Sequence, residues 1–157
     1  MAVEAGFMND VYARLQLLSC GLLVKFNGWA ELASDLGLPG KTQDVKQAVY
    51  WLGKSPTARV THTSPTGRQD DGGHMRQTKH SIQVPLSIDQ KKVLDRVEAA
   101  EGRRLTVIIN GPYDQVLAEF FDVSEAATIV EAFVKRGRLS KDVVETKTRR
   151  ATYTLVS

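Results

Sequence analysis

Residues 27–54 are predicted to form two short amphipathic helices joined by a turn of Leu, Gly, Leu, Pro and Gly. Apolar residues recur at positions i, i+3, i+4 and i+7 in both halves of this segment, which is the spacing of one helical face. They are Trp29, Leu32, Ala33 and Leu36 in the first half and Val45, Ala48, Val49 and Leu52 in the second. Each helix must therefore bury one face against another part of the chain.

The turn of this hairpin resembles that of the helix-turn-helix family of DNA-binding proteins over residues 28–54. In that family an alanine commonly lies four residues before the turn glycine, as Ala33 lies before Gly37, and an apolar residue such as Leu38 follows. Glycine suits the left-handed conformation at a helix end. The family usually has a buried aliphatic residue six positions after the glycine, where this chain has Gln43. The resemblance implies a helix that reads the major groove, reached through a turn two residues longer than usual.

Polar side chains on and around the second helix are the candidate DNA-binding residues, together with basic residues of the loop that follows. They are Lys41, Thr42, Gln43, Lys46, Gln47, Tyr50, Lys54, Arg59, Arg68, Arg76 and Lys79. Thr42 is predicted to cap the helix, whose N-terminal amides can bind a phosphate. Glutamine can pair with adenine, and lysine can reach guanine or a phosphate. The basic loop residues would contact phosphates or the minor groove, whereas Asp70 and Asp71 would repel the DNA backbone.

The elements around the hairpin predict an α+β protein of two units. A helix over residues 10–25, the helical hairpin, and two β-like runs joined by a loop are the parts of a winged-helix domain, in which the loop is the wing. The β-like runs cover residues 58–63 and 80–86. We therefore predict a three-helix, winged-helix-like unit over residues 9–79. The second β-like run is either shared between this unit and the next, or the boundary between the units lies between Thr78 and Ser87.

Residues 80–157 are predicted to form a β-α-β-β-α-β unit, the split-βαβ or ferredoxin-like arrangement. After the shared strand we predict a helix opened by a Ser87–Gln90 capping box, a strand over residues 104–110, a return strand over residues 115–122, a helix capped by Ser124 and ended by Gly137, and a closing strand over residues 151–156. We expect this unit to form a homodimer or to contact a partner through a sheet edge or face.

Charge is distributed unevenly along the 157 residues, whose net charge is +3. Residues 38–85 carry a net charge of +4 and residues 135–157 a net charge of +5, whereas residues 86–134 carry −4. A basic segment just beyond a recognition helix is the asymmetry that phosphate binding needs. A solvated surface with a basic tail accounts for the same distribution.

Several other classes of protein find little support in the sequence. No apolar run approaches the roughly 20 residues needed to span a bilayer. The first residues show no basic region before an apolar core, so we do not expect a secretory signal. Cys20 is the only cysteine, which excludes an intramolecular disulfide and fits a reducing compartment. Two Gly-Lys-Thr/Ser triplets lack the first glycine of a phosphate-binding loop, and the three histidines lack metal-ligand spacing. We predict a cytoplasmic, non-enzymatic protein without a cofactor, a metal site or a membrane partner.

The expected function is transcriptional regulation or a similar DNA-associated role, in which a homodimer places two recognition helices on double-stranded DNA. The main alternative is a protein-interaction module, an adaptor or inhibitor whose basic C-terminal residues contact an acidic partner protein. Those residues are Arg136, Arg138, Lys141, Lys147, Arg149 and Arg150. A third alternative is RNA or single-strand binding by the same segment, with Tyr153 stacking on a base. The hairpin is also compatible with a helix pair that binds no DNA.

Overall fold

The computed structural model describes residues 4–56, 59–65 and 79–156 of the chain. The chain divides into two compact units, unit 1 over Met1–Pro85 and unit 2 over Leu86–Ser157. In the described residues each unit combines three α-helices with one three-stranded antiparallel sheet. The predicted α+β class is therefore confirmed.

Unit 1 has the element order α1-β1-α2-α3-β2-β3 in its described residues. The elements are α1 (Ala5–Ser19), β1 (Val24–Phe26), α2 (Trp29–Asp35), α3 (Thr42–Lys54), β2 (Thr61–Thr63) and β3 (His80–Gln83). β3 lies between β1 and β2 and is antiparallel to both. The strand that both predicted units shared is thus paired with strands of unit 1.

Both predicted apolar stripes of the helical hairpin face the core of unit 1. The buried side chains of α2 and α3 and of the residue after α2 are Leu32, Ala33, Leu36, Val45, Ala48, Val49 and Leu52. Trp29 is half-buried against the same core. Because α3 packs against both α1 and α2 through its buried side, its opposite side faces solvent.

The turn after α2 has the geometry that the sequence predicts for Gly37. Its φ of +75° lies in the left-handed region, which glycine adopts without steric strain. The Leu38 N–H donates to the Ala33 carbonyl at 2.8 Å, and the Gly37 N–H donates to the Ser34 carbonyl at 3.0 Å. These are the two hydrogen bonds of a Schellman motif, which satisfies the last carbonyls of a helix.

Two predicted helix boundaries in unit 1 are wrong. α1 ends at Ser19 and does not continue to residue 25, because Val24–Phe26 forms β1. The side chains of this short strand alternate between buried and exposed, and its backbone pairs with β3. Thr42 does not cap α3; it is the first helical residue, and Lys41 occupies the capping position without a side-chain hydrogen bond.

Unit 2 has the order α4-β4-α5-α6-β5-β6 in its described residues. The elements are α4 (Ile88–Ala99), β4 (Arg104–Ile108), α5 (Tyr113–Phe121), α6 (Ala126–Arg136), β5 (Leu139–Val144) and β6 (Arg150–Leu155), with a 3₁₀ turn (Glu101–Arg103) before β4. β6 lies between β4 and β5 and is antiparallel to both. The largest fully buried side chains of this unit include Tyr153, Phe133 and Leu117.

The predicted β-α-β-β-α-β order of unit 2 is not found. Residues 115–122, predicted as a return strand, belong mostly to α5, because Leu117 and Phe121 lie one helical turn apart and are both buried. Leu139–Val144, for which no strand was predicted, forms β5 and pairs with β6 along its whole length. The unit therefore has an α-helix where the ferredoxin-like order requires a strand.

The helix ends of unit 2 agree with the sequence in two cases out of three. The Ser87 hydroxyl accepts from the Gln90 N–H at 3.1 Å, and the Gln90 side chain accepts from the Ser87 N–H at 2.9 Å, which confirms the capping box. Gly137, with φ +83°, ends α6 as predicted. Ser124 does not cap α6, since Glu125 occupies the capping position without a side-chain hydrogen bond.

Candidate functional site

The solvent-exposed face of α3 carries amide, basic and aromatic side chains. Gln47, Tyr50, Trp51 and Lys54 follow one another at i, i+3, i+4 and i+7. Tyr50 is 61% exposed and Trp51 is 50% exposed, which is unusual for side chains of this size. The Lys54 Nζ lies 4.3 Å from the centroid of the Tyr50 ring and 5.9 Å from a ring centroid of Trp51. A hydrogen bond with Lys54 and its positive charge lower the pKa of Tyr50.

Four rings of unit 1 form an aromatic cluster, which consists of Phe26, Trp29, His62 and His80. Phe26 stacks on His80 with ring centroids 4.8 Å apart and an interplanar angle of 6°. The His62 and His80 rings are stacked with centroids 5.3 Å apart, and the Trp29 ring lies 5.0 to 5.3 Å from the other three. Strand register produces this arrangement, since Phe26 on β1 pairs directly with His80 on β3.

The two histidines of the aromatic cluster are joined by a hydrogen bond. His62 Nε2 and His80 Nδ1 lie 3.1 Å apart, so one ring donates and the other must offer an unprotonated nitrogen. Burial, and then the charge of His80, lower the pKa of His62. Burial, and then the charge of Lys46, lower the pKa of His80. Both lowered pKa values favour the uncharged form of the two histidines near neutral pH.

We expect unit 1 to lose stability as the pH falls below about 6.5, the ordinary pKa of histidine. Because the pKa values of His62 and His80 are lowered by folding, the unfolded chain takes up protons first. The stabilisation is complete above the unfolded pKa and is lost as the pH falls through the folded values. Thermal unfolding followed by tryptophan fluorescence between about pH 5 and pH 8 measures this effect. The stability of a variant with His62→Gln and His80→Asn should depend less on pH. An equal dependence would mean that these two histidines do not cause the loss of stability.

A cavity of about 570 Å³ is lined by α3 and by the aromatic cluster. The lining residues on α3 are Gln43, Lys46, Gln47, Tyr50 and Trp51, and those from the rest of unit 1 are Trp29, His62, Ser64 and His80. Tyr50 and His62 also line a second cavity of about 430 Å³, which extends to Lys54 and Thr61. None of the described residues around these two cavities is acidic.

The structure brings together only part of the predicted DNA-binding set. Gln43, Lys46, Gln47, Tyr50 and Lys54 lie on α3 away from its buried stripe, and Lys41 and Thr42 lie at its start. Arg59 is exposed and lies just before the start of β2, and Lys79 directly precedes β3. Arg68 and Arg76, together with the opposing Asp70 and Asp71, lie outside the described residues.

Three residues on or beside the exposed face of α3 were not among the DNA-binding residues predicted from the sequence. Trp51 lies on the exposed face of α3, and its position could have been found from the helical spacing that it shares with Gln47 and Lys54. His62 and His80 come from the two β-like runs that flank the long loop. Their proximity depends on the register of β2 against β3, which the local sequence does not specify.

Unit 2 contains a cluster of polar side chains that contributes to the packing of that unit. The hydroxyl oxygens of Tyr113 and Tyr153 are 2.7 Å apart, and the Lys141 Nζ donates to Glu131 at 2.6 Å. Burial is the first cause that raises the pKa of both tyrosines, so neither is prepared to give up a proton near neutral pH. Tyr153 is completely buried, and its predicted role of stacking on a base is therefore wrong.

The described residues offer neither a metal site nor a membrane-spanning helix. In the described part of the chain, no three His, Cys, Asp or Glu side chains are grouped closely enough to hold a metal ion. None of the helices within residues 4–56, 59–65 and 79–156 has the length and apolar content needed to cross a bilayer. Comparison of the chain with protein-family models, curated proteins and solved structures finds no significant match.

Proposed function

We propose that the chain is a non-enzymatic DNA-binding protein in which unit 1 acts as a winged helix with α3 as the recognition helix. A role in transcriptional regulation, or a similar role on double-stranded DNA, fits this proposal. The observation that supports it most directly is the two-sided character of α3, which buries one face and exposes a basic and amide-rich face. The major groove admits a helix of this kind. The three helices and the β2–β3 pair of unit 1 are further support, since a winged-helix domain combines these parts.

The side chains of α3 fall into two groups, those suited to contact bases and those suited to contact phosphates. Gln43 and Gln47 carry amides that can pair with adenine, and Lys46 between them can reach guanine or a phosphate. Lys54 at the end of the helix and Arg59 beyond it would contact the phosphate backbone, which positions the protein without reading sequence. The capping residue Lys41 makes no side-chain hydrogen bond to the first amides of α3, and these amides can receive a phosphate.

We propose that unit 2 supplies a contact to a second copy of the chain. Ile108 is 58% exposed and Val144 is 40% exposed, and both pair with Arg150 in adjoining strands. With the exposed Arg150 between them, these side chains form a row of two apolar groups and one basic group on the outer face of the sheet. A two-fold dimer through such a face would present two copies of α3 to two half-sites on DNA.

We expect the protein to bind mixed-sequence duplex DNA with an affinity that falls steeply as salt is raised. If Lys41, Lys46, Lys54 and Arg59 each neutralise a phosphate, the logarithm of affinity should fall with a slope of roughly −3.5 against the logarithm of salt concentration. The double variant Lys46→Ala/Gln47→Ala should bind about tenfold more weakly, because it loses one ionic and one base contact. Fluorescence anisotropy of a labelled duplex at several salt concentrations measures both effects.

The matched control is Lys91→Ala/Gln115→Ala, which makes the same two substitutions at exposed positions of α4 and α5. This control should bind like the unmodified protein. Loss of affinity in both variants to the same extent would mean that DNA affinity depends only on the overall charge of the protein.

Absence of binding even at low salt would contradict the proposal and favour an acidic protein partner for the basic C-terminal segment. Changing Arg149 and Arg150 to alanine in parallel measures how much of the salt effect that segment carries.

A further inference from the structure

The cavity between α3 and the aromatic cluster has the size and the walls of a site for a planar ring. Its volume of about 570 Å³ falls within the range of roughly 300 to 1,000 Å³ that is typical of ligand sites. Trp29, His62 and His80 supply aromatic rings on one side, and Tyr50 and Trp51 supply two more from α3. A cavity walled by five aromatic rings can hold a flat molecule by stacking.

Reading the edges of paired bases does not explain these aromatic side chains. In the major groove, base pairs are distinguished by hydrogen-bond donors and acceptors and by the thymine methyl group. The faces of the bases are hidden in the stack of a regular duplex. An aromatic ring on a nucleic-acid-binding surface instead stacks on a base that has left the helix or lies in a single strand. The exposed Tyr50 and Trp51 rings, beside the cavity, are suited to this contact.

Charge and hydrogen-bonding groups around the cavity favour a nucleotide over a neutral aromatic molecule. Lys46 lines the cavity, and Lys54 lies over the Tyr50 ring. Gln43 and Gln47 bring amide groups that can bond to the edge of a base. Because no described residue that lines the cavity is acidic, an entering phosphate meets no opposing charge there.

We propose that this cavity binds one unpaired nucleobase of the nucleic acid that contacts α3. The inference rests on the proposed DNA-binding function and narrows its substrate to DNA with an unstacked or unpaired base. The base would enter past Trp51 and stack among the rings, while Lys46 and Lys54 hold the adjoining phosphates. The helix would then recognise a distortion in the duplex in addition to its sequence.

The intrinsic fluorescence of the protein reports on this cavity directly, because both of its tryptophans, Trp29 and Trp51, line it. Two probes are compared, a short regular duplex and the same duplex with one unpaired adenine in its centre. We expect the bulged duplex to bind about tenfold more tightly, as one stacked base implies. We also expect it to quench tryptophan fluorescence more strongly at equal occupancy.

Two variants of Trp51 separate stacking from folding. Trp51→Ala should reduce the ratio of the two affinities from about tenfold to about one, and it should leave unit 1 folded, since the side chain is half exposed. Trp51→Phe retains an aromatic ring and should keep most of the preference. Equal affinity of the unmodified protein for both probes, without extra quenching, would overturn this inference and leave the proposed function standing. Failure to bind either probe would overturn both.

Discussion

Replacing Phe26 with alanine is expected to lower the free energy of unfolding of unit 1 by about 3 to 5 kcal/mol. Phe26 is 1% exposed and is among the largest fully buried side chains of the protein. Its ring belongs both to the core of unit 1 and to the aromatic cluster, where it stacks on His80 and meets Trp29 edge to face. Truncation removes these contacts and leaves a cavity that strands β1 and β3 can close only in part.

Denaturant-induced unfolding followed by tryptophan fluorescence measures this loss, because Trp29 is in contact with the altered position. The control is Tyr50→Ala, which removes an aromatic ring that is 61% exposed and should change stability by less than about 0.5 kcal/mol. A loss below about 1 kcal/mol in the Phe26 variant would mean that this ring is not part of the core. The same variant should also weaken any preference for an unpaired base, since His80 loses the ring on which it stacks.

The helical hairpin could be predicted from the sequence because its signals are local. The apolar stripes of α2 and α3 depend only on helical spacing, and Gly37 ends α2 through a conformation that glycine adopts without strain. The capping box at Ser87 and the end of α6 at Gly137 are local in the same way. Each of these predictions needed at most eight consecutive residues.

The errors arose where tertiary contacts decide the structure. Residues 115–122 contain apolar side chains at five of eight positions, a short apolar run that fits a strand or a helix. The structure resolves this ambiguity in favour of α5, which buries Leu117 and Phe121 on one side. Strands β1 and β5 were missed for a related reason. β1 is only three residues long, and β5 is mostly exposed, so neither shows a strong pattern before its partner strand is known.

Only one part of the candidate site, the face of α3, could be predicted from the sequence. Lys46, Gln47 and Tyr50 could be assigned to one face of α3 from spacing alone. The aromatic cluster could not, because it joins β1, α2, β2 and β3 through strand pairing across more than fifty residues of sequence. The cavity beside α3 exists only after that pairing has formed, which is why sequence reasoning found the basic helix and missed the rings next to it.

Replacing Phe133 with alanine is expected to destabilise unit 2 by about 3 to 5 kcal/mol. Phe133 is completely buried in α6, which packs against α4, α5 and β5. Its carbonyl accepts a hydrogen bond from the Arg138 N–H at 2.9 Å, so the same residue also holds the end of the helix. Removing the ring leaves a cavity where three helices and the sheet meet.

Hydrogen exchange measured by mass spectrometry is the suitable method for this variant, because both tryptophans lie in unit 1 and their fluorescence does not report on α6. Amides of α6 and β5 should exchange about a hundredfold faster or more, which is the ratio that 3 kcal/mol implies. The control is Lys135→Ala, an exposed position of the same helix, where exchange should stay within about threefold of the unmodified protein. Unchanged protection in the Phe133 variant would mean that α6 does not form the centre of this core. If unit 2 also joins two copies of the chain, its destabilisation should shift sedimentation towards the monomer, whereas the control should sediment as the unmodified protein does.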